Sequence, residues 1–197
     1  MKVIFLDNDG VICLANNWGT RNKKRQKAGL STKVPLKELP LEVRFDNFDK
    51  KAVKILNEVL EESGAELVVS SDWRFYATLE ELGDYYQSQG ISKRPIDTTE
   101  KFSEVFPREW SALRFRAELE LERYMEINRW IEDHPEVTNW VAVDDLDMSV
   151  EFLAPRFTNQ DDVDKKPGLT NFVLTPKSTE GIKQSGVKDK LLYYLSL

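Results

Sequence analysis

The stretch Met1-Lys2-Val3-Ile4-Phe5-Leu6-Asp7-Asn8-Asp9-Gly10-Val11-Ile12-Cys13-Leu14 decides how the chain is read. Val3–Leu6 lacks the polar alternation of a half-exposed strand, so it predicts a strand buried on both faces, as in a parallel α/β sheet. The run stops at Asp7-Asn8-Asp9-Gly10. Ligands of open parallel sheets bind at the carboxyl ends of the strands, and Asp7 and Asp9 are expected to face that edge together. Gly10 permits a tight turn and a close backbone approach to a ligand. Paired carboxylates there suit phosphoryl transfer, in which one attacks phosphorus and the other protonates the leaving oxygen and later takes a proton from water. Adjacent negative charges call for a hard cation, and Mg²⁺ is the first candidate. Asp-x-Asp-Gly also occurs in calcium loops and ordinary turns, so the tetrapeptide alone leaves these readings open.

The 197 residues suffice for one substantial core, which predicts a single domain over 1–197. Hydrophobic residues at 41% and charged residues at 31% describe a soluble globular chain rather than a disordered one. A formal net charge of -6 argues against indiscriminate nucleic-acid binding and leaves room for a local basic site. Cys13 is the only cysteine, which excludes an intramolecular disulfide and leaves no disulfide-linked partner to expect. No apolar run approaches a membrane span and no cleavage pattern follows the first one, so a cytoplasmic protein without a membrane partner is expected. No glycine-rich cradle follows Cys13, which reads as a packed thiol.

Beyond Leu14 the pattern dissolves, and residues 21–27 carry five cations, Arg21, Lys23, Lys24, Arg25 and Lys27. One reading is a solvated loop; the other is a basic flap, at about 15–44, in which Lys23, Lys24 and Arg25 gather a phosphorylated substrate and Trp18 stacks on a base or closes a lid. A helix is predicted from near Asp49 to Gly64, with Ala52, Val53, Leu56, Val59 and Leu60 on one face. Glu66–Val69 predicts a second buried strand, ending in Ser70-Ser71-Asp72-Trp73-Arg74. A serine there can bond a phosphoryl oxygen, and Arg74 can add a planar cation. Thr78–Gln89 predicts a helix, Ile91–Pro107 is poorly patterned, and Trp110–His134 reads as two helical segments with the only histidine at their end. Trp140–Val143 predicts a third strand, ending in Asp144-Asp145, Phe172–Leu174 a fourth, and the tail a closing helix.

Taken together, Asp7-x-Asp9-Gly10-Val11, Val68-Val69-Ser70-Ser71 and Val141–Asp145 resemble the motifs of the haloacid-dehalogenase-like (HAD) hydrolase superfamily. More narrowly, Phe5–Val11, Val69–Arg74 and Trp140–Asp145 look like the HAD phosphatase domains associated with RNA-repair proteins. The resemblance covers residues 1–14 and 45–175 and implies a three-layer, Rossmann-like α/β fold. Its mainly parallel sheet would carry helices on both faces, with a minimal cap domain or none.

The resemblance further implies Asp7 as nucleophile, Asp9 as general acid/base, and Ser70 as the phosphoryl-binding residue, with Ser71 as the alternative. Mg²⁺ would be held by Asp7, the Asp9 carbonyl, Asp144 and Asp145. The cation beside the phosphoaspartate is usually lysine; none is suitably placed, and Arg123 is the substitute. Two positions depart from the pattern: Asn8 stands where an apolar residue is usual, and Asp72 adds a charge beside the phosphate site. The expected activity is a Mg²⁺-dependent phosphomonoesterase acting through an aspartyl-phosphate, with nucleotides or nucleic-acid ends as candidate substrates. The alternative is a non-catalytic binding or regulatory module that keeps the fold and the metal site.

Overall fold

The computed structural model describes residues 1–31, 33–101, 112–157 and 166–197, with the backbone alone for 112–117. The sheet has five parallel strands: β1 (Lys2–Leu6), β2 (Glu66–Val69), β3 (Asp97–Thr98), β4 (Asn139–Asp144) and β5 (Phe172–Leu174), in the order β3-β2-β1-β4-β5. β1 is central, its Leu6 opposite both Val69 and Val143, so the residues after all three strands leave the sheet side by side. The chain reverses direction across the sheet between β1 and β4, the arrangement that opens a crevice at the strand ends.

Alternation along β1 divides the core. Ile4 and Leu6, with Leu67, Val69, Val141 and Val143, face α3 (Lys50–Ser63), α4 (Leu79–Ser88) and α7 (Val187–Ser196). Val3 and Phe5, with Val68 and Ala142, face α5 (Ala112–Asp133) and α6 (Val150–Phe157). Phe5 meets the rings of Trp130 and Trp140 edge-on at 5.2 and 6.0 Å, a favoured aromatic geometry. The result is three layers, helix, sheet, helix, and the described residues hold no second sheet.

Local signals set the helix ends. The Asp49 carboxylate accepts from the Lys51 and Ala52 amides at 3.0 and 2.9 Å, capping α3, and Gly64 closes it at φ 71°. Thr78 and Glu81 form a reciprocal capping box on α4.

Several expectations change. The basic stretch is a helix, α1 (Thr20–Lys27), and a short helix α2 (Leu41–Arg44) follows, where a loop was expected. Arg25 and Arg44 explain why: both guanidinium groups are buried and bond main-chain carbonyls, Arg25 those of Val43 and Arg44, and Arg44 those of Leu39 and Tyr76. Arg25 is the only buried residue of α1, so a cation rather than an apolar stripe pins that helix, while α2 buries Val43 beside Arg44. Residues 112–133 form one helix, not two, and the poorly patterned stretch contributes β3. Trp110 and the rest of residues 102–111, where the first helical segment was expected to begin, lie outside the described residues. His134 follows α5 and stacks on Trp130 at 3.7 Å.

Candidate active site

Asp7 leaves β1 with its amide bonded to the Val143 carbonyl at 3.1 Å, and Asp144 leaves β4 alongside it. Asp7, Asp144 and Asp145 each bring a carboxylate oxygen within 4.8 Å of the other two. Asp7 and Asp144 are buried, while Asp145 is partly open. Burial raises the pKa of the Asp7 carboxyl well above its ordinary range, the Asp144 charge adds to this, and the Arg123 charge opposes it. Burial likewise raises Asp144, against the pull of Arg123. Proximity of like charges and loss of water are the two causes at work.

Arg123, from α5, enters the middle of this group. Its Nη1 is 3.4 Å from Asp7 Oδ1 and 3.1 Å from Asp144 Oδ2, and it also donates to the Ser70 carbonyl. Its Nη2 reaches Asp72 at 3.0 Å, so Asp72 pairs with Arg123 rather than with Arg74. Burial disfavours the Arg123 charge, but the surrounding carboxylates outweigh burial and hold its proton more firmly than usual.

Hard oxygen donors alone make up the acidic trio, and two of its three carboxylates, Asp7 and Asp144, share one guanidinium. A small divalent cation with a preference for carboxylates, such as Mg²⁺, fits that donor set.

The Asp9 carboxylate is not part of the trio. It accepts the Trp73 indole N–H at 2.8 Å. Burial raises its pKa, opposed by the bonds from Trp73 and Cys13. Trp73 is itself held by stacking on Phe45 and Phe48, at 4.5 and 5.4 Å between ring centres. Asn8, between the two aspartates, is fully buried. Its side-chain oxygen accepts from Tyr86 Oη at 2.6 Å, and its carbonyl gathers the amides of Val11, Ile12 and Cys13. That is why an amide stands where an apolar residue is usual: the position points into the α4 layer and meets a phenol there.

Ser70 and Ser71 lie at the end of β2, both buried, and neither hydroxyl has a hydrogen-bond partner among the described residues. An unmade bond of this kind costs about 1–3 kcal/mol, so both hydroxyls are available to an oxygen-bearing ligand. Arg74 pairs with Glu126, a buried carboxylate of α5 that Arg123 Nε also approaches at 3.7 Å. Thr175, after β5, closes the far side by bonding the carbonyls of Asp144 and Gly10, at 3.2 and 3.4 Å.

The flap residues are placed separately. Trp18 is 50% exposed, with its indole N–H on the Cys13 carbonyl at 3.2 Å. Lys23 is exposed, and Lys24 bonds Asn47 Oδ1 at 3.0 Å. Arg25 is taken up by carbonyls in the interior and does not face the acidic group. Sequence reasoning passed over Trp73, Glu126, Thr175 and Tyr86. Trp73 stands beside the serines in the second motif, whereas the others come from distant segments with no local signature.

A family model described as "HAD domain in Swiss Army Knife RNA repair proteins" matches residues 3–178. No curated protein and no solved structure matches the chain.

Proposed function

Since the chain belongs to the family of HAD domains in Swiss Army Knife RNA repair proteins, whose wider superfamily is of phosphatase-type hydrolases, we propose that it is a Mg²⁺-dependent phosphomonoesterase acting on phosphorylated nucleotides or nucleic-acid ends. The observation that carries this reading is the convergence of Asp7, Asp144 and Asp145, the first two paired with Arg123, together with two serine hydroxyls at the end of β2 that have no hydrogen-bond partner among the described residues.

In the first step an Asp7 carboxylate oxygen forms a bond to phosphorus as the bond to the leaving oxygen breaks, and Asp9 gives that oxygen its proton. In the second, water forms the new bond to phosphorus, the Asp7 ester bond breaks, and Asp9 takes the proton released. The raised pKa of Asp9 suits a group that must hold a proton in one step and accept one in the next. The hydroxyl of Ser70, or that of Ser71, bonds a non-bridging phosphoryl oxygen. Arg123 holds the Asp7 carboxylate in place and offsets charge beside it. Asp7, Asp144 and Asp145, with the Asp9 carbonyl, are the groups that would hold Mg²⁺, which when bound neutralises charge building on the phosphoryl oxygens.

The test is phosphate release from phosphorylated metabolites and from oligonucleotides bearing a 3′- or 5′-phosphate. Release is expected with Mg²⁺ and is expected to vanish in Asp7→Asn. Near-normal release by Asp7→Asn excludes the covalent route. If no substrate is turned over, the non-catalytic module is the better description.

A further inference from the structure

The leaving group of such a reaction must lie on the side of the phosphorus where Asp9 stands, and the ground beyond Asp9 has a distinct chemistry. The Asp9 main chain pairs with Cys13, and the Cys13 carbonyl holds the Trp18 indole. Arg21, at the start of α1, pairs with the Asp46 carboxylate at 3.6 Å. Asn17, next to Trp18, and Thr20 line a groove of about 680 Å³, together with Phe48, Asp49, Lys50, Lys51 and Lys183.

The groove is tied to the catalytic turn rather than lying elsewhere on the surface. The Asp49 amide bonds the Ile12 carbonyl at 2.8 Å, fixing the start of α3 on the loop that carries Asp9. Asn17 donates to the Asn47 carbonyl at 3.1 Å, and Thr20 accepts the Asn47 amide at 2.8 Å, so α1 and the entry to α3 are locked into one wall. Lys50 and Lys51 project exposed from the first turn of α3, while Lys183 is held by Asp49 at 3.3 Å. Three lysines against the single carboxylate of Asp49, with the amides of Asn17, Asn47 and Gln89 and the hydroxyls of Thr20 and Ser88, leave the groove net positive in a chain of net charge -6, which suits a polyanion.

We propose that this groove binds the single-stranded nucleic-acid segment attached to the leaving oxygen, with Trp18, the neighbour of the lining residue Asn17, at its edge and Lys50 and Lys51 on its phosphates. The proposal rests on the phosphatase reading and specifies which substrates that activity favours. Trp18, half open and fixed by its indole N–H, offers a stacking face for the first base, a contact that tolerates any sequence. The lysines then track the backbone, which carries no base information. Affinity is therefore expected to rise with strand length and to be insensitive to sequence.

The experiment measures binding and turnover separately. Binding of fluorescent single strands of two, four and eight nucleotides, each with a terminal phosphate, is measured in Asp7→Asn, which holds substrate without turnover. The same strands are then used with Asp7→Asn carrying Lys50→Gln and Lys51→Gln. Affinity is expected to grow with length in the first protein and to fall about tenfold for the longest strand in the second. The slope of log affinity against log salt is expected to drop by about 1.4, since each single-strand phosphate neutralised by a lysine contributes roughly 0.7. In the otherwise wild-type background, the two lysine changes are expected to leave hydrolysis of a small aryl phosphate unaltered. Length-independent binding, or an unchanged salt slope in the lysine variant, overturns the groove assignment even when aryl phosphate is hydrolysed normally. Length-dependent binding without any phosphate release upholds the groove and overturns the phosphatase reading instead.

Discussion

Trp73 holds Asp9: its indole N–H donates to Asp9 Oδ2 at 2.8 Å, and its ring is clamped by Phe45 and Phe48. In the proposed reaction Asp9 protonates the leaving oxygen, and this bond would then set the direction of its carboxyl. Trp73→Phe keeps most of the aromatic packing and removes the N–H. With an alkyl phosphate, whose leaving oxygen needs a proton, kcat/KM, which reports the first step and not the shared hydrolysis of the aspartyl-phosphate, is expected to fall about tenfold to a hundredfold. With an aryl phosphate carrying a nitro group, whose leaving oxygen departs unprotonated, the loss is expected to be at most a few fold. Equal losses on both substrates would show that Asp9 is not the proton donor.

Among the described residues, Arg123 is the only guanidinium paired with both Asp7 and Asp144, so its removal takes away the cation these buried carboxylates share. Breaking a buried pair by deleting one partner costs about 3–5 kcal/mol. Arg123→Met is therefore expected to lower the melting temperature markedly without metal and to recover much of the loss in Mg²⁺. Arg123→Lys keeps the charge but cannot span Asp7, Asp144 and Asp72 at once. Its expected activity lies between that of wild type and that of the methionine variant, as steady-state rates at saturating Mg²⁺ would show.

Metal dependence is checked by chelation, which is expected to abolish turnover. Mg²⁺ is expected to restore it better than Ca²⁺, whose larger and looser oxygen shell spoils in-line geometry. Gly10→Ala probes the same group indirectly. Gly10 has φ 75°, and a Cβ there would lie 2.9 Å from the Asp145 Cβ, so the Asp145 side chain must shift. That substitution costs about 1–2 kcal/mol through its backbone conformation. It is also expected to raise the Mg²⁺ concentration needed for half-maximal rate at least tenfold, and an unchanged requirement would remove Asp145 from the metal site.

Asp49 links stability to pH. Partial burial raises its pKa, but the bonds from the Ala52 amide and Lys183 outweigh this and hold the carboxyl below its ordinary range. A carboxyl depressed in the folded state contributes stability above its unfolded value of about 3.9, lost as pH falls through the folded value. Asp49→Ala is expected to cost about 1 kcal/mol at neutral pH, the usual worth of a helix cap. The gap between variant and wild type in urea unfolding is expected to narrow below about pH 4. A constant gap across that range would place the effect in packing rather than in the charged cap.

Much of the sheet is readable from residue types alone. Val3–Leu6, Leu67–Val69 and Val141–Val143 are unbroken apolar runs because helices cover both faces, and each ends where polar residues begin. The same abruptness marks Asp7, Ser70 and Asp144 as neighbours. β3 is not readable, since Asp97 and Thr98 carry no strand signature and join the sheet only by pairing with Val68 and Val69. Nor is α1, whose register is set by Arg25 reaching carbonyls and by Asp46 accepting from Thr20 Oγ1 and the Arg21 amide. The bond from Trp73 to Asp9 is hidden too, because adjacency in sequence says nothing of an indole that arrives from another strand end.

The central position of β1 also sets a schedule. Its two neighbours are β2 and β4, and β4 is made long after β1 has left the ribosome. Pairings between segments so distant along the chain close late and slowly in folding. Asp7 therefore waits, through most of synthesis, for Asp144 and Arg123 to reach it. A chain whose β4 has not yet paired with β1 lacks the proposed site, so any hydrolytic competence is expected to arrive with that late pairing.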